Sequence, residues 1–194
     1  MSIKRFFDNT DAKGSEQYIK TQTRYELVHT LVLFGISLSL FFAGYIQTKQ
    51  RGNLLTIVAV LGCLPASKRL VSFIMYARYR SCSAEAAAKI KQSLSDLKGL
   101  FDCVFTSYKT NYYVEHLAVR GNTICGYSSK TDFPEAEFQK HITEHLKLEG
   151  HKDLTVKVFT DPDKYCNRLA QMAQLPEEEE KTLSVLETLK QISL

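Results

Sequence analysis

The chain has 194 residues, 44% of them hydrophobic and 24% charged, with 25 Lys/Arg against 21 Asp/Glu. That length holds one medium domain, or a small domain beside a membrane module. Residues 1–81 carry eleven Lys/Arg and four Asp/Glu, a balance of +7, whereas residues 82–194 carry fourteen and seventeen, a balance of −3. The basic half lies around apolar segments, where Lys and Arg report orientation and lipid contact rather than nucleic-acid binding.

A polar lead of 26 residues precedes the first apolar run. Residues 27–48 contain no charged side chain, and only His29, Thr30, Ser37 and Ser39 offer polarity inside LVHTLVLFGISLSLFFAGYI. Twenty-two helical residues rise about 33 Å, enough for a hydrocarbon core of roughly 30 Å. A cleaved secretory signal would have a shorter apolar core and a small-residue site, which AGYIQTKQ lacks, so the run is expected to be a transmembrane helix.

After the connector QTKQRGN comes LLTIVAVLGCLPA, and then Ser67, Lys68, Arg69 and LVSFIMYARYR. Two geometries fit. A helix from about Asn53 to Met75 could cross the bilayer, kinked at Pro65, with Lys68 and Arg69 snorkelling to the interface. Otherwise the helix ends near Ala66 and residues 70–80 lie along the surface on Leu70, Val71, Phe73, Ile74 and Ala77.

Both give a hairpin. Lys4, Arg5, Lys13, Lys20 and Arg24 precede it and Lys68, Arg69, Arg78 and Arg80 follow its second core, with Lys49 and Arg51 between. The positive-inside rule then places both termini in the cytoplasm, at a cell inner membrane, and the compact anchor has a bacterial look. Neither span holds an internal Asp or Glu, Gly35, Gly44 and Gly62 form no GxxxG pair, and His29 falls at headgroup level, so no channel or transporter is expected. Two helices bury little, which leaves homo-oligomerisation open.

Five cysteines, Cys63, Cys82, Cys103, Cys125 and Cys166, form no CxxC pair. The odd count fits a reducing compartment and excludes a disulfide framework or a zinc ribbon.

From residue 82 the pattern becomes that of a water-soluble α/β domain. A helix is expected over 84–98, with Ile90, Leu94 and Leu97 on one face and Gly99 as its stop. Strands are expected at 101–107, 112–120 and 123–129, with Gly121-Asn122 as a two-residue turn between the last two. A helix over 133–148 follows through Phe138, Ile142 and Leu146, with Pro134 in its first turn. Then come a strand at 154–159, a short helix opened by Asp161-Pro162, and a last helix opened by Pro176. The fold class is therefore a two-helix transmembrane hairpin (27–80, after a cytosolic segment 1–26) plus an α+β cytosolic domain (82–194). Its 113 residues suffice for one core under a mostly antiparallel sheet.

The glutamates at 177–180 follow Pro176 at a helix start, where carboxylates suit the helix dipole, and read as structural. His141, Glu144 and His145 match the HxxEH order of the inverted zinc metallopeptidases, in which two histidines hold zinc and the glutamate is the base. A third ligand would have to come from the 49 residues that follow. These are too few for that architecture, and the histidines flank the apolar stripe of their helix. No Walker loop, GxSxG or GxGxxG occurs.

In the central hairpin Arg120 should oppose Thr123, and Glu115 should oppose Ser128. Period-two alternation puts Glu115, Leu117 and Val119 on one face with Ile124, Gly126, Ser128 and Lys130. VEHLAV, a turn, and ICGYSSK resemble the core of the restriction-endonuclease-like nucleases, especially the nuclease-related domain often attached to membrane helices. That family has a hydrophobic strand with an acid before a histidine, then a strand ending in Glu-x-Lys. The order of elements over 84–160 also resembles it. The resemblance implies that Glu115 is the metal-binding acid and Lys130 the lysine that positions or activates water. It also implies a second acid where this chain has Ser128, and such nucleases need both acids to hold a divalent cation.

The leading expectation is thus a membrane-anchored, non-catalytic interaction or regulatory protein, without a cofactor. It would meet the lipid bilayer and a protein partner or further copies of itself. The alternative is a tethered metal-dependent nucleic-acid hydrolase using Glu115, Lys130 and Asp102 or Asp132. The acidic balance of the domain speaks against nucleic acid.

Overall fold

The computed structural model describes residues 13–49, 52–176 and 178–194. Lys4, Arg5, Arg51 and Glu177, which enter the charge and capping expectations, lie outside the described residues. Among the described residues six helices and four strands follow in the order α1 (Tyr18–Thr48), α2 (Leu54–Ala77), α3 (Ala84–Leu94), β1 (Lys98–Thr106), β2 (Asn111–Arg120), β3 (Thr123–Tyr127), α4 (Glu135–Leu148), β4 (Thr155–Phe159), α5 (Pro162–Ala173) and α6 (Glu179–Ile192). They form two compact units, residues 19–80 and residues 13–18 with 81–194.

In the first unit, α1 and α2 are both long and apolar enough to cross a membrane. Several of their hydroxyls turn back on the helices' own backbone. Thr30 donates to the Glu26 carbonyl at 2.8 Å, Ser39 to Gly35 at 2.8 Å and Ser67 to Cys63 at 2.8 Å. Such i−4 bonds satisfy the hydroxyls without water. Leu31, Ile36, Phe42 and Ile46 on α1, and Leu54, Val60 and Leu64 on α2, stay exposed.

Of the two geometries for the second apolar stretch, the continuous helix is present. Asn53 caps α2 by accepting from the Thr56 N–H at 2.8 Å, and the helix runs through Pro65 to Ala77. The proline removes one ladder bond, which the flanking turns tolerate. The helices meet where side chains are small. A Cβ on Gly62 would stand 2.7 Å from Ser37 Oγ, and one on Gly44 2.8 Å from Asn53 Oδ1. Extending that antiparallel register by equal rise sets Glu26 beside roughly position 73 of α2. Yet Glu26 pairs with Arg69, Nη1 to Oε1 at 3.1 Å.

The second unit has three layers. The sheet order is β1-β2-β3-β4, antiparallel except for the parallel β3–β4 pair. Helices α4 and α6 cover one face, where Phe138, Ile142, Leu146, Val185 and Leu189 pack on Val114, Leu117, Val119, Ile124 and Val158. Helices α3 and α5 cover the other, where Ala87, Ile90, Tyr165, Leu169 and Met172 pack on Phe101, Ala118, Cys125 and Tyr127. Residues 13–18 lie against this unit: the Phe101 N–H donates to the Gly14 carbonyl at 2.8 Å and Lys13 Nζ to that of Ser193 at 2.9 Å.

The expected Arg120–Thr123 pairing is present. The helix expected over 84–98 stops four residues early. Ser95 takes φ +46, which ends α3, and β1 already runs at Lys98. Gly99 is thus a strand residue rather than a helix stop. Its role is room: a Cβ there would lie 2.7 Å from His116 Nε2 and 2.8 Å from the Leu117 carbonyl.

Candidate functional site

Strict alternation fails at the centre of β1 and β2. Leu100 and Cys103 both pack into the α4/α6 core, as do Val114 and Leu117, although each pair is three residues apart. Two neighbours on each strand therefore lie on the α3/α5 side: Phe101 with Asp102, and Glu115 with His116. The register places Phe101 opposite His116 and Cys103 opposite Val114, so Asp102 and Glu115 fall at the same level of the two strands without being paired. Asp102 holds φ +54, in the left-handed region, while the register on either side leaves one residue on each strand. This inversion moves Glu115 off the face of Leu117 and Val119, where simple alternation had placed it.

Both carboxylates are buried, Asp102 at 3% exposure and Glu115 at 6%. Asp102 Oδ1 accepts from the Cys82 N–H at 2.9 Å and from the Tyr113 hydroxyl at 3.0 Å. Glu115 Oε1 accepts from the Ser129 N–H at 3.2 Å and from the Ser129 hydroxyl. Asp102 Oδ2 is buried with no hydrogen-bond partner among the described residues. Burial, followed by the adjacent Glu115 and Asp102 charges, pushes the Cys82 thiol up to about 12, so it remains protonated. Burial and the same two carboxylates raise the Tyr113 phenol, which stays a donor.

The other residues of the nuclease-like pattern are placed differently. Ser128 opposes Glu115 by extension of the hairpin register, but its hydroxyl donates to the Tyr113 carbonyl at 2.9 Å. Lys130 lies three residues past β3, exposed, with no ion pair to Glu115. Asp132 is exposed in the following turn. At the positions named by the resemblance, Glu115 is the one carboxylate, and a divalent cation does not fit Ser128 and Glu115 alone. The orphaned oxygen of Asp102 lies instead on β1, a strand from which the family pattern draws no ligand.

His141 and His145 sit on α4 with ring centroids 4.6 Å apart, and Tyr112 lies 5.7 Å from His141. Burial, and then His145, lowers the His141 pKa. Glu144 is exposed and meets Lys140 at 3.9 Å. Among the described residues no group of three or more His, Cys, Asp or Glu side chains is placed to hold a metal ion.

His116 is fully buried and was not singled out by sequence reasoning except as the histidine after the acid. Its Nδ1 lies 2.6 Å from the Tyr165 hydroxyl, which donates in turn to the Cys125 carbonyl at 3.4 Å. Which of Nδ1 and the Tyr165 hydroxyl donates depends on the ring's tautomer, and Nε2 is buried without a hydrogen-bond partner among the described residues. Burial pushes its pKa down to about 3, so the ring is neutral. Tyr113, Ser129 and Cys82 carry no motif; Asp102 was visible as a lone acid inside the apolar strand FDCVF. In comparisons with known proteins, no family model, no curated protein and no solved structure matches this chain.

Proposed function

We propose that this chain is a two-pass membrane anchor carrying a non-catalytic interaction or regulatory module with a nuclease-like core. In this reading α1 and α2 cross a bacterial inner membrane, both termini are cytoplasmic, and the α+β unit meets a protein partner or other copies of the chain. The observation that carries it is the state of the acidic pair. A nuclease must bring its carboxylates to a phosphodiester, and here Asp102 and Glu115 are closed off from solvent. Ser129 occupies one oxygen of Glu115, and Lys130 stands apart. The balance of −3 over residues 82–194 further opposes a polyanion.

The second reading, a tethered metal-dependent nucleic-acid hydrolase, draws on one observation: Asp102 and Glu115 are buried acids at the same level of adjacent strands, so that Asp102 would replace the missing acid. A gel series decides between them. The full chain in detergent is incubated with plasmid and single-stranded DNA, with and without manganese. No cleavage is expected. Cleavage that needs the metal and disappears in Glu115→Ala would make the hydrolase the correct reading. The anchor is tested by alkaline extraction of membranes, in which the chain should stay in the pellet; release into the supernatant would refute the two-pass reading.

A further inference from the structure

We infer that the end of the hairpin at which α1 begins and α2 ends is a binding surface for anionic phospholipid, carried by Arg24, Lys68, Arg78 and Arg80. The inference rests on the proposed reading that α1 and α2 span a membrane, and it adds the headgroup class that the anchor selects.

Residues 19–80 carry eight Lys/Arg and a single Asp/Glu, Glu26. Six of the eight, Lys20, Arg24, Lys68, Arg69, Arg78 and Arg80, lie towards the start of α1 or the end of α2, and the Glu26–Arg69 pair joins those two ends. The fold seals the one acid. Glu26 is 3% exposed, and its Oε1 accepts from Arg69 Nη1 at 3.1 Å and from Gln22 Nε2 at 3.1 Å. Within residues 19–80 no carboxylate therefore remains at the surface. Arg24, Lys68, Arg78 and Arg80 are all exposed, and none of them forms an ion pair among the described residues. Like charges gathered at one end repel one another unless an anion from outside lies among them.

The apolar surface between the cations selects that anion. Leu70, Val71 and Ile74 are exposed on α2 between Lys68 and Arg78, and Leu27 and Val28 are exposed on α1 just past Arg24. A nucleic acid offers phosphate without an acyl chain, and would leave those side chains in water. An anionic phospholipid carries both parts on one molecule, a phosphate for the cations and a tail for the aliphatic side chains. A zwitterionic lipid has the same phosphate, but its own ammonium cancels the charge. Three of the four cations are Arg, whose planar fork takes two phosphate oxygens at once. Tyr25, Tyr76 and Tyr79 lie at the same end, where aromatic rings favour the headgroup boundary. Clusters of roughly four to eight Lys/Arg beside a membrane helix are a recurrent signature of binding to anionic lipid.

The test reconstitutes the full chain in phosphatidylcholine vesicles that carry a trace of spin-labelled lipid. Lipid held against the protein gives a motionally restricted component in the electron paramagnetic resonance spectrum. Spin-labelled phosphatidylglycerol should be restricted about fivefold more strongly than spin-labelled phosphatidylcholine, the ratio that the attraction of one cation supplies. About 1 M salt, which screens charges beyond about 3 Å, should bring the ratio close to one. Combining Arg24→Gln, Lys68→Gln, Arg78→Gln and Arg80→Gln should do the same at low salt, while Lys49→Gln, at the other end of the hairpin, keeps the parent's ratio. Undiminished restriction of phosphatidylcholine by the quadruple variant shows that its hairpin is still inserted, and the salt titration needs no variant at all. Equal restriction of the two lipids by the parent, a ratio that survives salt, or a ratio kept by the quadruple variant would each overturn the inference while leaving the anchor in place. Restriction of neither lipid would overturn the anchor reading, and this inference with it. Equal restriction together with a plasmid mobility shift that the quadruple variant loses would assign the cations to nucleic acid instead.

Discussion

Leu31 on α1 and Ile142 on α4 are similar apolar side chains in regular helices, and they end in opposite surroundings. Leu31 is 64% exposed, whereas Ile142 is 0% exposed. The difference is in their neighbours along the chain. Around Ile142 the apolar positions recur as Phe138, Ile142 and Leu146, one stripe that a sheet can cover. Around Leu31 they continue on every side for 22 residues, more than one partner helix can hide. The α+β unit covers its apolar stripes within itself, whereas much of the apolar surface of α1 and α2 stays uncovered; in the proposed reading lipid covers it.

A pair of substitutions would break that comparison if it is wrong. Phe138→Ala removes a side chain shared by the Phe105, Tyr112 and Phe133 rings. It should cost the α+β unit about 3–5 kcal/mol in denaturant unfolding and leave membrane recovery unchanged. Leu38→Lys, at the middle of the apolar run of α1 and 54% exposed, should do the reverse. A lysine at mid-span costs about 3 kcal/mol of insertion, seen as chain recovered outside the membrane fraction, with little effect on unfolding of the α+β unit. Equal effects of both changes in both assays would mean that α1 is an internal helix of a soluble fold.

The next effect belongs to the α+β unit alone. His116 is held neutral, its pKa pushed down to about 3 by burial, while in the unfolded chain it returns to about 6.5. A depressed folded pKa means that the unfolded state binds the proton more readily. The stability is therefore complete above pH 6.5 and is lost as pH falls towards 3, by roughly 4 kcal/mol at the lower end. Denaturation midpoints of the parent and of His116→Phe, followed from pH 7 to pH 3, check this. The parent should lose more stability over that window than the variant, and parallel curves would show that His116 is reached by protons in the folded state.

The two regions also differ in how much their sequence disclosed. Absence of charge over 27–48 is a one-dimensional signal, and it needs no partner to interpret. Periodicity likewise disclosed α4 through Phe138, Ile142 and Leu146, and the Gly121-Asn122 turn fixed the register of β2 on β3. What failed was alternation across a defect. Nothing in NYYVEHLAVR announces that alternation breaks at Glu115, and the break coincides with Asp102 at φ +54 at the same level of the neighbouring strand. The end of α3 was misplaced for a related reason. Gly99 looked like a helix stop, but its missing side chain makes room for the His116 ring, a contact with a residue 17 positions away in sequence. Local chemistry reads local structure well, and it misses positions whose residue type is set by a partner elsewhere in the chain. The candidate site is made almost wholly of such positions: Glu115 was visible through a motif, whereas Cys82, Tyr113 and Ser129 became relevant only as donors around the two acids.

The smallest expected effect gives the closest comparison between the regions, because the same device occurs in each. Asn53 caps α2 by accepting from Thr56 N–H at 2.8 Å, and Ser83 caps α3 by accepting from Ala86 N–H at 3.2 Å. Removing either side chain orphans one helix-terminal donor, worth about 1 kcal/mol. Ser83→Ala should therefore lower the unfolding free energy of the α+β unit by about that amount. Asn53→Ala has a further consequence, since Asn53 Nδ2 also donates to Thr48 Oγ1 at 2.8 Å and so links the end of α1 to the start of α2. Its loss should loosen the hairpin turn, read as faster amide exchange at Thr56 and Ile57, while the α+β unit unfolds at the parent's midpoint. If Asn53→Ala lowered that midpoint as much as Ser83→Ala does, the two units would be one cooperative body, and the contrast between a self-contained core and a hairpin with an uncovered apolar surface would fail.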